Sequence, residues 1–139
     1  ASEYGFGAVI ASLPAFKTVS NGLGNIFRDP LVNEAITTTT LAGITGSASG
    51  GLSIALATMS DQYIAMAQQA NIPMEVLHRV ASMASGGMDT LPHNGAVITL
   101  LAVTGLTHKQ SYKDIFFLTI LKVLIVFIVI GLYYTTGWV

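Results

Sequence analysis

The chain has 139 residues, of which 52% are hydrophobic and only 9% are charged, and its mean hydropathy is +0.64. Soluble domains carry about a quarter charged residues, so this composition predicts a membrane protein. A formal net charge of −1 argues against a nucleic-acid partner, and the lack of cysteine excludes thiolate metal sites and thiol catalysis.

Residues 1–34 combine an uncharged stretch with a charged one. Tyr4 to Phe16 is shorter than the roughly 20 apolar residues of a spanning helix, so it is interpreted as the end of a preceding helix. Lys17 to Glu34 holds several charged residues and glycines, which predicts a surface loop, alone or with a short interfacial helix. Because the chain opens at Ala1 without an initiator methionine, we expect a carboxyl-terminal part of a longer polytopic protein.

Residues 35–60 form the first segment that must lie in the bilayer, and its centre is rich in glycine and serine. One interpretation is a single spanning helix whose small residues pack against neighbours. The other is a re-entrant hairpin with arms at Ala35–Thr45 and Leu52–Ser60 and a tip at Gly46–Gly51. The hairpin is favoured, because irregular backbone at membrane depth is tolerated where it lines a cavity.

Residues 61–79 are polar enough for an interfacial connector, and residues 80–106 predict a crossing that is broken near its centre. Pro92 lacks a backbone donor, and the neighbouring glycines permit conformations that a helix disfavours. Backbone groups freed at such a break make a polar site where lipid supplies no partner. This crossing is therefore predicted to be a discontinuous helix.

The carboxyl-terminal part predicts a short polar loop at residues 107–114 and a final spanning helix at residues 115–134. Tyr133, Tyr134 and Trp138 are the aromatic residues expected at the membrane interface. Lys122 interrupts the apolar run, and we expect its side chain to extend toward the nearer membrane surface.

The hairpin tip and the break carry the candidate site. Helix amino termini at both places would offer N–H groups to a carboxylate, and short polar side chains there are further donors suited to an anion. Asp89 and His93 are the candidates for proton coupling, although Asp89 could equally be a cap of the second half-helix. The predicted substrate-binding residues are Ser47, Ser49, Gly50, Ser85, Gly86, Thr90, Asn94 and Gly95.

Four runs resemble the carboxyl-terminal end of the gluconate permease family: Ala42–Gly51, His78–Gly87, Asp89–Thr99 and Gly105–Lys109. The resemblance implies a proton-coupled symporter of gluconate or 3-hydroxybutyrate type in a bacterial inner membrane, with several crossings. It also implies an inverted-repeat ion-transporter-type fold with re-entrant hairpins, whose partners are the organic anion, the lipid bilayer, the rest of the transporter chain and a possible second protomer.

Sodium-driven dicarboxylate relatives in the same wider group have Ser-Asn-Thr tips, whereas this chain has Gly-Ser-Ala-Ser-Gly, so a sodium site stays open beside the proton. No bound cofactor or metal is predicted. The sequence contains neither a nucleophile elbow nor a phosphate-binding loop, and we predict no enzymatic activity. The alternative to a carrier is a non-transport or channel-type subunit, in which the glycine-rich runs serve helix packing.

Overall fold

The computed structural model describes residues 9, 12–23 and 26–138, and this part of the chain is helical, without a β-strand. Its helices are α1 (Pro14–Leu23), α2 (Pro30–Thr45), α3 (Ala48–Gln69), α4 (Met74–Ser85), α5 (Gly95–Thr104) and α6 (His108–Thr136). The predicted all-α class is confirmed for these residues. Most of the stretch Tyr4–Phe16, interpreted as a helix end, lies outside them.

Helices α2 and α3 form an antiparallel hairpin with a two-residue turn. Asp29 caps α2, because its Oδ1 accepts the N–H of Val32 at 2.9 Å. Gly46 ends α2 in the left-handed conformation, with φ of +62°. Ser47 then caps α3, since its Oγ accepts the N–H of Gly50 at 3.2 Å. The turn is tight because Gly46, which ends α2, is followed directly by Ser47, which caps α3.

The hairpin has different bounds from those predicted. The expected tip at Gly46–Gly51 is reduced to two residues, because the Ser47 cap starts α3 at Ala48. The first helix also begins earlier than expected, at Pro30, where the fixed φ of proline suits the first helical turn. Glu34 therefore lies inside α2 and is buried, not in a surface loop.

Gly51 sets the close approach of the two hairpin helices. A Cβ atom at this position would lie 2.4 Å from both the backbone N and the Cα of Ala42. Real Cβ atoms do not approach backbone so closely, so the helices would have to move apart. The glycine-rich sequence here serves helix packing as well as the turn.

Helix α3 continues to Gln69 through the first half of the predicted connector at residues 61–79. Tyr63 and Ala67 are fully buried on its inner face, so packing stabilises a helix whose sequence is only weakly amphipathic. The Ile72 N–H donates to the Ala67 carbonyl at 2.8 Å, and α4 begins two residues later. The connector is thus a short turn between two helices.

The buried core lies between α2, the second half of α3, α4 and the second half of α6. Burial of these apolar side chains is the main force that holds the helices together. The members of the core are Leu31, Ala35, Met59, Tyr63, Ala67, Ile72, Val76, Leu77, Val80, Ala84, Val126 and Ile130.

Helix α6 has 29 residues and is the one helix among those described that is long and apolar enough to cross a membrane. Only 17% of its most apolar window is buried within the chain. Its exposed apolar surface is that of a membrane protein. The predicted loop at residues 107–114 is helical from His108, because the Thr107 N–H donates to Gln110 Oε1 at 2.9 Å and caps the helix.

Candidate functional site

The polypeptide leaves helical conformation after Ser85 and returns to it at Gly95. The predicted interruption beside Pro92 is therefore present, between α4 and α5. Helix α5 has 10 residues, which corresponds to about 15 Å, or about half the hydrocarbon thickness of a bilayer. We call residues 86–94 the break.

Asn94 joins the break to the hairpin turn. Its Oδ1 accepts the N–H groups of Ala96 at 2.6 Å and Val97 at 3.1 Å, so it is the cap of α5. Its Nδ2 donates to the Gly46 carbonyl at 2.6 Å and also to the Asp89 carbonyl. One buried amide thus caps a helix, closes the break and binds the hairpin turn.

His93 makes a second hydrogen bond between the break and the hairpin. Its Nε2 lies 3.0 Å from the carbonyl oxygen of Gly43 in the last turn of α2. A carbonyl oxygen only accepts, so the imidazole carries a proton on Nε2 in this arrangement. The predicted proton-coupling residue is therefore part of the contact between the hairpin and the break.

Asp89 forms an ion pair with Lys122 of α6, with 2.6 Å between Oδ1 and Nζ. The ammonium also donates to Thr90 Oγ1 at 3.1 Å, and that hydroxyl lies 2.7 Å from Thr119 Oγ1. The expectation that Lys122 extends to the membrane surface is wrong, since it points into the break. The helix-cap interpretation of Asp89 is also wrong, because Asn94 holds that position.

The remaining predicted residues lie at the hairpin turn or at the ends of the break. Ser47 is buried at the hairpin turn and lies 3.3 Å from the exposed Ser49, from hydroxyl to hydroxyl. Gly50 is buried in the first turn of α3. Ser85 uses its hydroxyl within α4, where it donates to the Ser82 carbonyl at 2.8 Å.

Gly86 is the residue after α4, and Gly95 is the first residue of α5. The hairpin turn therefore meets the α5 end of the break through Asn94. The α4 end is held separately, by the Thr39 hydroxyl, which donates to the Ala84 carbonyl at 2.9 Å.

Positive charge converges where the turn and the break meet. The cap of α3, Ser47, directly follows Gly46, whose carbonyl binds the cap of α5. The amino-terminal ends of two helices are thus neighbours, and each presents N–H groups and the positive end of its dipole. Lys122 also lies at the break, where Asp89 balances its charge at 2.6 Å. The two helix ends together favour an anion.

Sequence reasoning missed Lys122 and Thr119 as residues of this site. The available signal was the position of Lys122, which is the fifteenth residue of the 29 in α6 and so lies at its centre. A lysine at the centre of a span is far from both surfaces, and a partner inside the protein is then the expected solution.

No protein-family model matches the chain, and no solved structure matches it. A similar sequence is that of the uncharacterized transporter YxjC from Bacillus subtilis (strain 168), which is 67% identical over 138 residues. The match covers 99% of this chain and 29% of YxjC, so the chain spans less than a third of the length of that relative.

Proposed function

We propose that this chain is the carboxyl-terminal part of a secondary transporter of gluconate permease type. The transporter would carry a small hydroxy-carboxylate together with protons across a bacterial inner membrane, which it crosses several times. Transport in general is supported by the name of YxjC and by its 67% identity over nearly the whole chain. The proposed substrate and coupling ion rest on the family resemblance of the sequence, and the geometry of the site is compatible with both.

A single observation supports the carrier most strongly. The Asn94 amide binds the Gly46 carbonyl at 2.6 Å and so places two interrupted helical segments side by side. Transporters bind substrate near the membrane midplane, where amino-terminal ends of broken helices face the anionic group. Here the ends of α3 and α5 would bind the carboxylate, with Ser47, Ser49 and Thr90 as donors to carboxylate and hydroxyls.

The ion pair of Asp89 and Lys122 gives this proposal a coupling mechanism. In the structure the ammonium is held by Asp89 at 2.6 Å. A proton on Asp89 would neutralise the carboxylate and release Lys122 for the carboxylate of the substrate. Substrate and proton would then bind together, which is the requirement for symport. His93 would keep the hairpin next to the break during this exchange.

The test uses the full-length transporter, reconstituted in proteoliposomes with an imposed pH gradient. Uptake of radiolabelled gluconate, 3-hydroxybutyrate and citrate would be measured for the wild type and for Asp89→Asn and His93→Ala. We expect gradient-driven uptake of a monocarboxylate, and at least a roughly tenfold loss in both variants at unchanged protein content. Normal uptake by both variants would contradict the site, and uptake insensitive to the gradient would contradict proton symport.

A further inference from the structure

Glu34 is an ionisable side chain of the core that takes no part in the site described above. It lies in α2 with only 1% of its surface exposed, and its Oε2 has no hydrogen-bond partner among the described residues. An ionised carboxylate in such surroundings is costly, unless a cation or several donors compensate it. The neutral, protonated acid is the form that these surroundings favour.

A lateral cavity of about 260 Å³ opens onto this carboxyl group. Glu34 and the fully buried Tyr63 contribute to its lining from α2 and α3, whereas the exposed His78 contributes from α4. Tyr63 and His78 are the titratable groups that face Glu34 from the helices around the cavity. Neither Lys nor Arg lines the cavity, so no permanent positive charge there stabilises an ionised Glu34.

Thr38 provides an independent observation. Its Oγ1 is the other buried side-chain atom without a hydrogen-bond partner in the described part of the chain. Thr38 follows Glu34 by one helical turn, so both lie on the same face of α2, and that face leads toward Gly46. Buried polar atoms without partners are rare in proteins, so each calls for an explanation. Here the two follow each other on α2, and Glu34 lines the cavity.

We propose that Glu34 is a second protonation site, which exchanges its proton through the lateral cavity. On deprotonation the carboxyl O–H bond breaks, and the proton passes to water in the cavity or to the imidazole of His78. Glu34 precedes Gly46 by 12 residues, or about 18 Å along α2, so it is separate from the proposed substrate site. As a step of proton symport, this inference rests on the proposed function.

The direct test is infrared spectroscopy of the full-length protein in lipid, titrated through neutral pH. We expect the C=O band of a protonated carboxyl group at neutral pH in the wild type, lost in Glu34→Gln. Glu75→Gln is the matched control, since Glu75 is exposed at the start of α4, and it should retain the band. Glu34→Asp should keep a shifted band, which shows that the site tolerates substitution. Absence of the band in the wild type, or its persistence in Glu34→Gln, would overturn the proposal.

A transport measurement separates this site from the proposed function. In Glu34→Gln, accumulation of radiolabelled gluconate under a pH gradient should fall about tenfold, whereas exchange of internal for external gluconate should change less than about twofold. Equal loss of both modes would overturn a proton role for Glu34. If the wild type transports none of the tested hydroxy-carboxylates but retains the infrared band, the proposed function fails and the protonation site stands.

Discussion

Lys122 donates a hydrogen bond of 2.6 Å to Asp89, although the two residues are 33 positions apart in the sequence. The contact joins the centre of α6, the candidate membrane span, to the break. Side chains of the pair are 37% and 22% exposed, so this ion pair is partly accessible. The ion pair therefore holds the break against α6, and its partial exposure to solvent allows the two side chains to separate.

A double-mutant cycle should show this coupling. Lys122→Gln and Asp89→Asn should each lower the thermal stability of the full-length protein in detergent, and the double variant should lose less than the sum. We expect a coupling energy on the order of 1 kcal/mol, because partial exposure weakens the pair. Lys113→Gln, at an exposed position of α6, is the control. Additive effects would show that the pair does not stabilise the protein.

Gly51→Ala should separate the hairpin helices. The added Cβ would meet the Ala42 backbone at 2.4 Å, and we expect a loss of roughly 2 kcal/mol or more. Gly131→Ala is the matched control in α6, where the new methyl group meets no atom within 4 Å. The control should leave stability unchanged or raise it by about 0.5–1 kcal/mol. Similar unfolding temperatures for the two variants would contradict the close hairpin packing.

Gly46→Ala should destabilise the protein through backbone strain and through a close contact with His93. Gly105→Ala separates these two effects. Gly46 has φ of +62°, and a Cβ there would lie 2.9 Å from Cδ2 of His93. Gly105 has φ of +68° with no atom within 4 Å, so Gly105→Ala reports the backbone strain alone. We expect about 1 kcal/mol for Gly105→Ala and a larger loss for Gly46→Ala, measured by thermal unfolding. Equal losses would show that His93 adapts without cost.

Asn94→Asp should distinguish the cap of α5 from the bond to the hairpin. Aspartate can still accept the N–H groups of Ala96 and Val97, but it cannot donate to the Gly46 carbonyl. We expect a loss of about 1–3 kcal/mol relative to the wild type, because a buried acceptor is left unpaired. Asn94→Ser also keeps a cap but adds no charge, so it should lose less. Wild-type stability of Asn94→Asp would show that the link between turn and break is dispensable.

Local chemistry allowed the break to be predicted. Pro92 and the surrounding glycines act through backbone conformation, which depends on neighbouring residues alone. The cap was assigned less well, since Asp89, Thr90 and Asn94 all have side chains that can cap a helix. The structure selects Asn94, which lies directly before α5 and reaches Gly46 at the same time.

Contacts between distant segments account for the errors. Glu34 was assigned to the charged loop because a charged residue in the sequence predicts exposure to water. Its burial depends on the packing of α3 and α4 against α2, which the local sequence does not reveal. Lys122 was expected at the membrane surface because its partner, Asp89, belongs to another element. The end of α3 was placed too early, since Tyr63 and Ala67 belong to a core shared with other helices, such as Leu31 of α2 and Val76 of α4.

The described contacts of α6 reach the start of the hairpin and the break. Tyr134 donates to Asp29 Oδ2 at 2.5 Å where the hairpin begins, and Tyr112 donates to the Thr90 carbonyl at 3.4 Å beyond the ion pair. These two attachments tie α6 to the start of the hairpin and to the break. In the proposed carrier, we expect α6, the hairpin and the break to move together against the other helices of the transporter during alternating access.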